Sequence, residues 1–383
     1  MKLSRKKEGL IDRSPSPADL SSYNRILLIQ LGDIGDVILT LPAIRALRDN
    51  FPESRLVVCV REKAREIIED CPWASEVMTV RKEQKRLKAA ILDQALWMRD
   101  LRAHRFDLAI DLRTGTRGAI IAGFSGAGTR IGRFAADGRL WRNRVYTHLV
   151  TPPDEAFQYA AAHNLNILSP LGLKIPGMAL QITIPCHRKQ AAISLFSSEK
   201  IPMNRPLLAF HPFSLWKYKE WQVNSCAELI DDVQLRYNVT IVITGSSEER
   251  GRADQVVELC RTKPFNLAGK TSIGELAAVL SACRGFIGVD TAALHLAAAA
   301  GVPTLGIFGP SPAVCWAPRG SRHAIVTKDM PCVPCRRKGC QDSEVSQCLD
   351  ELTLKDIHEE LYRFIELKVN KVRESSDSGP LLP

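Results

Sequence analysis

The sequence predicts an α/β protein made of two doubly wound parallel units, and three observations lead there. Short apolar runs rich in β-branched residues alternate with amphipathic helical patterns along most of the chain. The alternation is interrupted by the proline-punctuated stretch Pro152 to Pro206 and restarts at Leu207. The 383 residues, 45% of them hydrophobic, suffice for two separate cores.

The first unit opens at Arg25 to Pro52, RILLIQLGDIGDVILTLPAIRALRDNFP. Ile26 to Ile29 read as a buried strand that stops at Gly32, and a helical pattern opens around Asp36, with Val37, Leu41, Ile44 and Leu47 on one face. Asp33 and Asp36 therefore fall at the strand-to-helix turn, where α/β folds gather ligands. On spacing alone Asp36 reads equally as a helix cap and as a reactive carboxylate.

Strands follow at Arg55–Val60, Glu76–Val80, Asp107–Leu112 and Arg130–Phe134. Helical patterns lie between them, among them a long polar one from about Gln84 to His104. Basic residues recur after these strands: Arg61, Lys63 and Arg65, then Arg113 and Arg117. Any one of them fits a solvated surface, but as a group they suit an anionic ligand at the strand ends.

The domain boundaries expected from these patterns are 23–185, a linker at 186–205, and 206–370, with disordered tails at 1–22 and 371–383. In the second unit LLAFHPF, VTIVITG, FNLAG, GFIGV and TLGIFG read as strands. In DTAALHLAAAAG a strand runs into Asp290 and Thr291 and then a helix whose first N–H groups make an anion site. Ala292 and Ala293 are small enough for a diphosphate to approach the backbone, and His295 shares a face with Thr291. Taken singly, Asp290 also reads as a cap and His295 as a core histidine.

The net charge of +10 favours an anionic partner: nucleic acid, an acidic lipid surface or a phosphorylated substrate. No nucleic-acid-binding signature is present, so nucleic acid is not expected. No apolar run reaches spanning length, and the basic start lacks the apolar segment of a secretory signal, so a cytoplasmic or peripheral protein is expected. Of the 11 cysteines, Cys332, Cys335, Cys340 and Cys348 form a C-x2-C-x4-C-x7-C array that fits structural zinc or unliganded thiols equally well.

Taken in order, GDIGDVILTLPAIRALRDNFP, HPFSLWKYKEW, LAGKTSIGELAAVL and GVDTAALHLAAAAGVPTLGIFGPSPAVCWAP resemble glycosyltransferase family 9, the heptosyltransferases of the lipopolysaccharide inner core. The resemblance implies a GT-B fold of two Rossmann-like domains across a cleft, acceptor on the first and nucleotide-sugar on the second. It implies inverting transfer from ADP-heptose to an anionic lipopolysaccharide core acceptor, on the cytoplasmic face of the inner membrane and against its acidic surface. Asp36 is then the general base, with Gly35 beside it, and Arg61, Arg113 and Arg117 face the acceptor.

On the donor side, Lys219 rather than Lys217 neutralises the diphosphate held by Thr291, Ala292 and Ala293. Asp290 contacts the sugar, His295 belongs to the same site, and Glu248 or Glu249 meets the ribose. No cofactor is needed for catalysis. The family usually has Gly where this chain has Ala292, which matters if the backbone there needs positive φ. The alternatives are another nucleotide-sugar or acceptor, or a nucleotide-binding module without catalysis. A dinucleotide oxidoreductase is disfavoured, because Gly32-x-x-Gly35 is not G-x-G-x-x-G.

Overall fold

The computed structural model describes residues 23–80, 87–138, 141–154, 156–175 and 177–370. The tails expected at 1–22 and 371–383 lie outside the described residues. Two compact units divide between Met178 and Ala179.

The first unit holds strands β1 (Arg25–Gln30), β2 (Arg55–Arg61), β3 (Glu76–Val80), β4 (Leu108–Asp111), β5 (Thr129–Arg133) and β6 (His148–Val150). They form one parallel sheet in the order β3-β2-β1-β4-β5-β6. Its helices are α1 (Ile34–Ile38), α2 (Leu41–Asn50), α3 (Arg65–Glu69), α4 (Leu87–Ala103), α5 (Thr116–Phe124) and α6 (Ala160–Ile167). The apolar run of β1 is fully buried because helices cover both faces of a doubly wound sheet.

The single helix expected from Asp36 onward is two helices. Pro42 has no N–H to give the carbonyl of Ile38, so α1 ends there and α2 begins at Leu41. Thr40 fills the break: its hydroxyl donates to the Asp36 carbonyl at 2.8 Å and accepts from Gln30 Nε2 at 2.9 Å.

The second unit begins with α7 (Cys186–Ser198) and holds β7 (Leu207–His211), α8 (Val223–Tyr237), β8 (Thr240–Ile243), α9 (Arg250–Leu259), β9 (Phe265–Asn266) and α10 (Ile273–Ser281). It continues with β10 (Gly285–Val289), α11 (Ala292–Ala299), β11 (Thr304–Phe308), α12 (Ala313–Trp316), β12 (His323–Thr327), α13 (Gln347–Asp350) and α14 (Leu354–Phe364). Its sheet, β12-β11-β10-β7-β8-β9, repeats the first unit's order: the first strand of the unit lies between its second and its fourth. The stretch 186–205, expected as linker, begins instead with α7, which packs on α10; Lys270 Nζ lies 2.5 Å from Glu199. Only Ala192 and Phe196 are buried on α7, too few to give a periodic signal.

Each sheet thus has one switch point, β1/β4 and β7/β10, where neighbouring strands send their chains to opposite faces and leave a crevice at their C-terminal ends.

Candidate active site

At the β1/β4 switch point Asp36 lies in α1 and Arg113 follows β4. Arg113 Nη1 donates to Asp36 Oδ2 at 2.7 Å, and the same oxygen accepts from the Asp33 backbone N–H at 2.9 Å. Asp33, not Asp36, is the N-cap, and Asp36 closes the turn from the third helical position. Gly32 makes this approach possible. A Cβ there would stand 2.4 Å from Asp36 Oδ2 and 2.7 Å from Arg113 Nη1, so any side chain would displace the pair.

Arg61 and Lys63, at the end of β2, do not face Asp36; they hold Asp33 at 3.3 and 2.6 Å. Partial burial raises the Asp33 carboxyl, but the Lys63 hydrogen bond and the charges of Lys63, Arg61 and Arg113 outweigh it and keep the pKa below the ordinary value. Arg61, Lys63, Arg113 and Arg117 all line a pocket of about 890 Å³ at these strand ends. Gly35 lies within α1, where its carbonyl accepts from Leu39 at 3.0 Å.

The pocket is also lined by a carboxylate that its sequence context does not single out. Asp111, at the end of β4, is fully buried; it accepts from the Tyr146 hydroxyl and from the Arg113 backbone N–H. Arg142 Nη2 donates to the Arg113 carbonyl at 2.6 Å, so the Arg113 backbone is held from both sides. Burial pushes the Asp111 carboxyl up to about 6, against the pull of Tyr146, the Arg113 N–H and both arginines.

Between the ordinary 3.8 and about 6 the folded state binds the extra proton at Asp111, so its contribution to stability is lost as pH rises through that window. His211 works the other way: buried at the end of β7, its pKa falls to about 4 from 6.5, which costs stability as pH drops. Asp111→Asn is therefore expected to steepen the rise in stability between about pH 4 and 6, by roughly 1–3 kcal/mol across the window. Urea unfolding at several pH values measures it, and a slope equal to that of the wild type would count against it.

At the β7/β10 switch point the charges are exchanged: the cation follows the unit's first strand and the acid its fourth. Lys219 Nζ donates to Asp290 Oδ2 at 2.7 Å, with side chains 19% and 5% exposed. Lys217 is exposed. The loop that carries Lys219 is pinned from several sides. The Trp221 indole donates to the Leu352 carbonyl at 2.7 Å, and the Ser346 hydroxyl to the Tyr218 carbonyl at 2.6 Å. Glu220 folds back to accept from the Ser214 backbone N–H at 2.9 Å and from Arg252 Nη1 at 3.1 Å.

Glu220→Ala leaves the Ser214 N–H and Arg252 without that acceptor, and is expected to weaken catalytic efficiency about tenfold through Lys219. Glu220→Gln, which keeps one acceptor, is expected to recover most of the loss. Equal losses in the two variants, measured as kcat and KM, would argue against positioning through Glu220.

Thr291 is the N-cap of α11 by backbone conformation, without a side-chain capping bond, and Asp290 is engaged by Lys219 rather than by the helix. Ala292 is the first residue of α11 and is absent from the described residues with positive φ, so alanine takes this position without strain. Ala293 and His295 are buried in the same helix. Glu248 is exposed and bonded within its own turn to Ser247 at 3.1 Å, whereas Glu249 closes the turn on the Ser246 N–H at 2.7 Å.

The cysteine array does not assemble as a metal site. Among the described residues no three His, Cys, Asp or Glu side chains are placed to hold a metal ion. Cys348 is buried while Cys332 and Cys340 are exposed, and burial together with the neighbouring thiols pushes Cys348 up to about 11.

The profile of glycosyltransferase family 9 (heptosyltransferase) matches residues 95–346. A lipopolysaccharide heptosyltransferase 3 from Escherichia coli is 25% identical over 291 residues, covering 74% of this chain and 83% of its own length. A family 9 glycosyltransferase structure from Veillonella parvula superposes with a TM-score of 0.77 at 24% identity, covering 93% of this chain and all of its own. The E. coli ADP-heptose lipopolysaccharide heptosyltransferase II structure gives 0.73 at 19%, covering 90% of this chain and 99% of its own. The two wholly parallel sheets are the α/β two-domain fold of these structures, and the match over residues 95–346 places the chain in glycosyltransferase family 9, as a glycosyltransferase.

Proposed function

We propose that this enzyme is an inverting heptosyltransferase that moves heptose from ADP-heptose to an anionic lipopolysaccharide inner-core acceptor, working at the acidic cytoplasmic face of the inner membrane. The observation that carries the reading is the pair of switch-point ion pairs, Asp36–Arg113 and Lys219–Asp290. Each puts a reactive group at a strand-end crevice beside an opposite charge.

In this reading Asp36 takes the proton of the acceptor hydroxyl as its oxygen attacks the anomeric carbon, and the bond from that carbon to the ADP oxygen breaks. Direct displacement inverts the anomeric centre. The charge that develops on the diphosphate is met by Lys219 and by backbone N–H groups at Thr291, Ala292 and Ala293, where the α11 dipole favours an anion. Asp290 orients Lys219 and reaches the sugar, His295 packs beneath this turn, and Glu248 or Glu249 meets the ribose. On the acceptor side Arg113, Arg117 and Arg61 answer its anionic groups from the pocket wall, next to Gly35 and Asp36.

The test is incubation with ADP-heptose and a panel of core acceptors, read by mass spectrometry. Addition of one heptose to an anionic core acceptor is the expected result. Transfer of a different sugar, or nucleotide binding without transfer to any acceptor, would reject it.

A further inference from the structure

We propose that Asp111 is a positioning residue for the proton transfer: through the Arg113 backbone it sets the guanidinium on one oxygen of Asp36, so that the other, Oδ1, takes the acceptor's proton. This rests on the reading of Asp36 as base, and adds which of its atoms works and what holds it.

Asp36 accepts twice on the same oxygen. Arg113 Nη1 and the Asp33 backbone N–H both donate to Oδ2, at 2.7 and 2.9 Å. Among the described residues no donor is placed on Oδ1, and the side chain keeps 22% of its surface exposed. A carboxylate bonded on one side offers the lone pairs of its other oxygen to an incoming hydroxyl.

Which oxygen is occupied depends on where the guanidinium sits, and packing does not hold Arg113, whose side chain is 47% exposed. A long side chain in that setting samples many rotamers unless its root is fixed. Two buried side chains fix it. Asp111 Oδ1 accepts from the Arg113 N–H at 3.0 Å, and Arg142 Nη2 donates to the Arg113 carbonyl at 2.6 Å.

Asp111 and Arg142 are 1% and 5% exposed and lie 3.8 Å apart, and the Tyr146 hydroxyl donates to Asp111 Oδ2. Arg142 is tied in turn to the Arg133 carbonyl at 2.8 Å and lies over the Tyr146 ring, 5.2 Å from its centre. A Cβ at Gly118 would stand 2.5 Å from Asp111 Oδ2, and one at Gly132 2.5 Å from the Tyr146 ring, so α5 and β5 close against this pair with no side chain between. A buried cluster of this kind contributes little net stability compared with apolar packing. What it supplies is a fixed root for Arg113, and hence a fixed partner for Asp36.

The experiment is a double-mutant cycle: Asp111→Ala in the wild-type chain and in Arg113→Ala, with kcat taken at saturating ADP-heptose and acceptor and active sites counted by ADP calorimetry. Asp111→Ala is expected to lower kcat about 10–100-fold, the cost of misplacing a reacting group by about 1 Å, with KM for ADP-heptose changed less than about twofold. In the Arg113→Ala background the same change is expected to cost less than about twofold, because its route to Asp36 is already cut. Asp111→Asn keeps an oxygen for the Arg113 N–H and is expected to recover most of the loss. An equal cost in both backgrounds would overturn the assignment, as would Asp111→Asn being as poor as Asp111→Ala.

Should Asp111→Ala fail to fold, Tyr146→Phe keeps the ring and runs the same cycle, with an expected loss of about three- to tenfold in the wild-type background alone. No loss, or an equal loss in both backgrounds, would again overturn it. A second readout needs no turnover. In nitrogen NMR spectra the Arg113 guanidinium, assigned by its absence from Arg113→Ala, is expected to rotate slowly in the wild type and in Asp111→Asn and freely in Asp111→Ala. Slow rotation persisting in Asp111→Ala would count against the assignment. A wild type that shows this pattern but transfers no heptose would reject the proposed function and leave the positioning of Arg113 by Asp111 standing.

Discussion

Asp36→Asn is expected to lower turnover about 10²–10⁴-fold, the range a positioned general base contributes, while affinity for the ADP-sugar stays within a few-fold. Asparagine has nearly the shape of aspartate and keeps an oxygen for the Asp33 N–H that Asp36 now accepts at 2.9 Å, so the turn is expected to stay folded. What it loses is basicity and the charge that holds Arg113. Single-turnover kinetics together with nucleotide titration by calorimetry separate the two effects. Near-normal turnover would remove Asp36 as base, and a matching loss of nucleotide affinity would make its role structural.

Lys219→Met has a second large effect, on both folding and chemistry. Asp290 is buried, and taking away its cation leaves a charge with neither water nor partner. Breaking such a pair costs about 3–5 kcal/mol when both members are fully buried. Because Lys219 keeps 19% of its side chain exposed, a loss of about 2–4 kcal/mol is expected here. For a unit of this size that lowers Tm by roughly 5–10 °C. Turnover is expected to fall about 10²–10³-fold as the leaving diphosphate loses its counter-charge. Adding Asp290→Asn removes the stranded charge, so the double variant is expected to regain most of the lost stability and none of the lost turnover. Recovery of both would make the pair a structural tie only.

Much of this could be read from the chain before its fold was known, for a physical reason. A strand covered on both faces must be apolar at every position, so Ile26–Ile29 and Ile241–Ile243 announce themselves, and the helices between them carry one-sided patterns. The edges escaped. β6 has three half-buried residues and β12 alternates between buried and exposed, so neither gives a continuous run. The division between units falls within the proline-punctuated stretch, but α7 escaped there because it buries only two side chains.

In the sites, Asp36, Lys219 and Asp290 stand in motifs with fixed local spacing. Asp111, Gly32 and Glu220 matter through partners that only folding brings near: Tyr146 is 35 residues from Asp111, and Arg252 is 32 from Glu220. The cysteine array shows the converse. Close spacing along the chain does not settle which thiols face solvent and which face the core.

The two switch-point pairs bear on discrimination between ligands. Before any substrate arrives, the cation of each pair is held by its own carboxylate at 2.7 Å. Binding there is an exchange of partners: a ligand takes hold only if it replaces an existing bond with one at least as strong. A diphosphate or an acidic sugar meets that condition, whereas water and neutral sugars do not, so the resting pairs act as a threshold against nonproductive occupants.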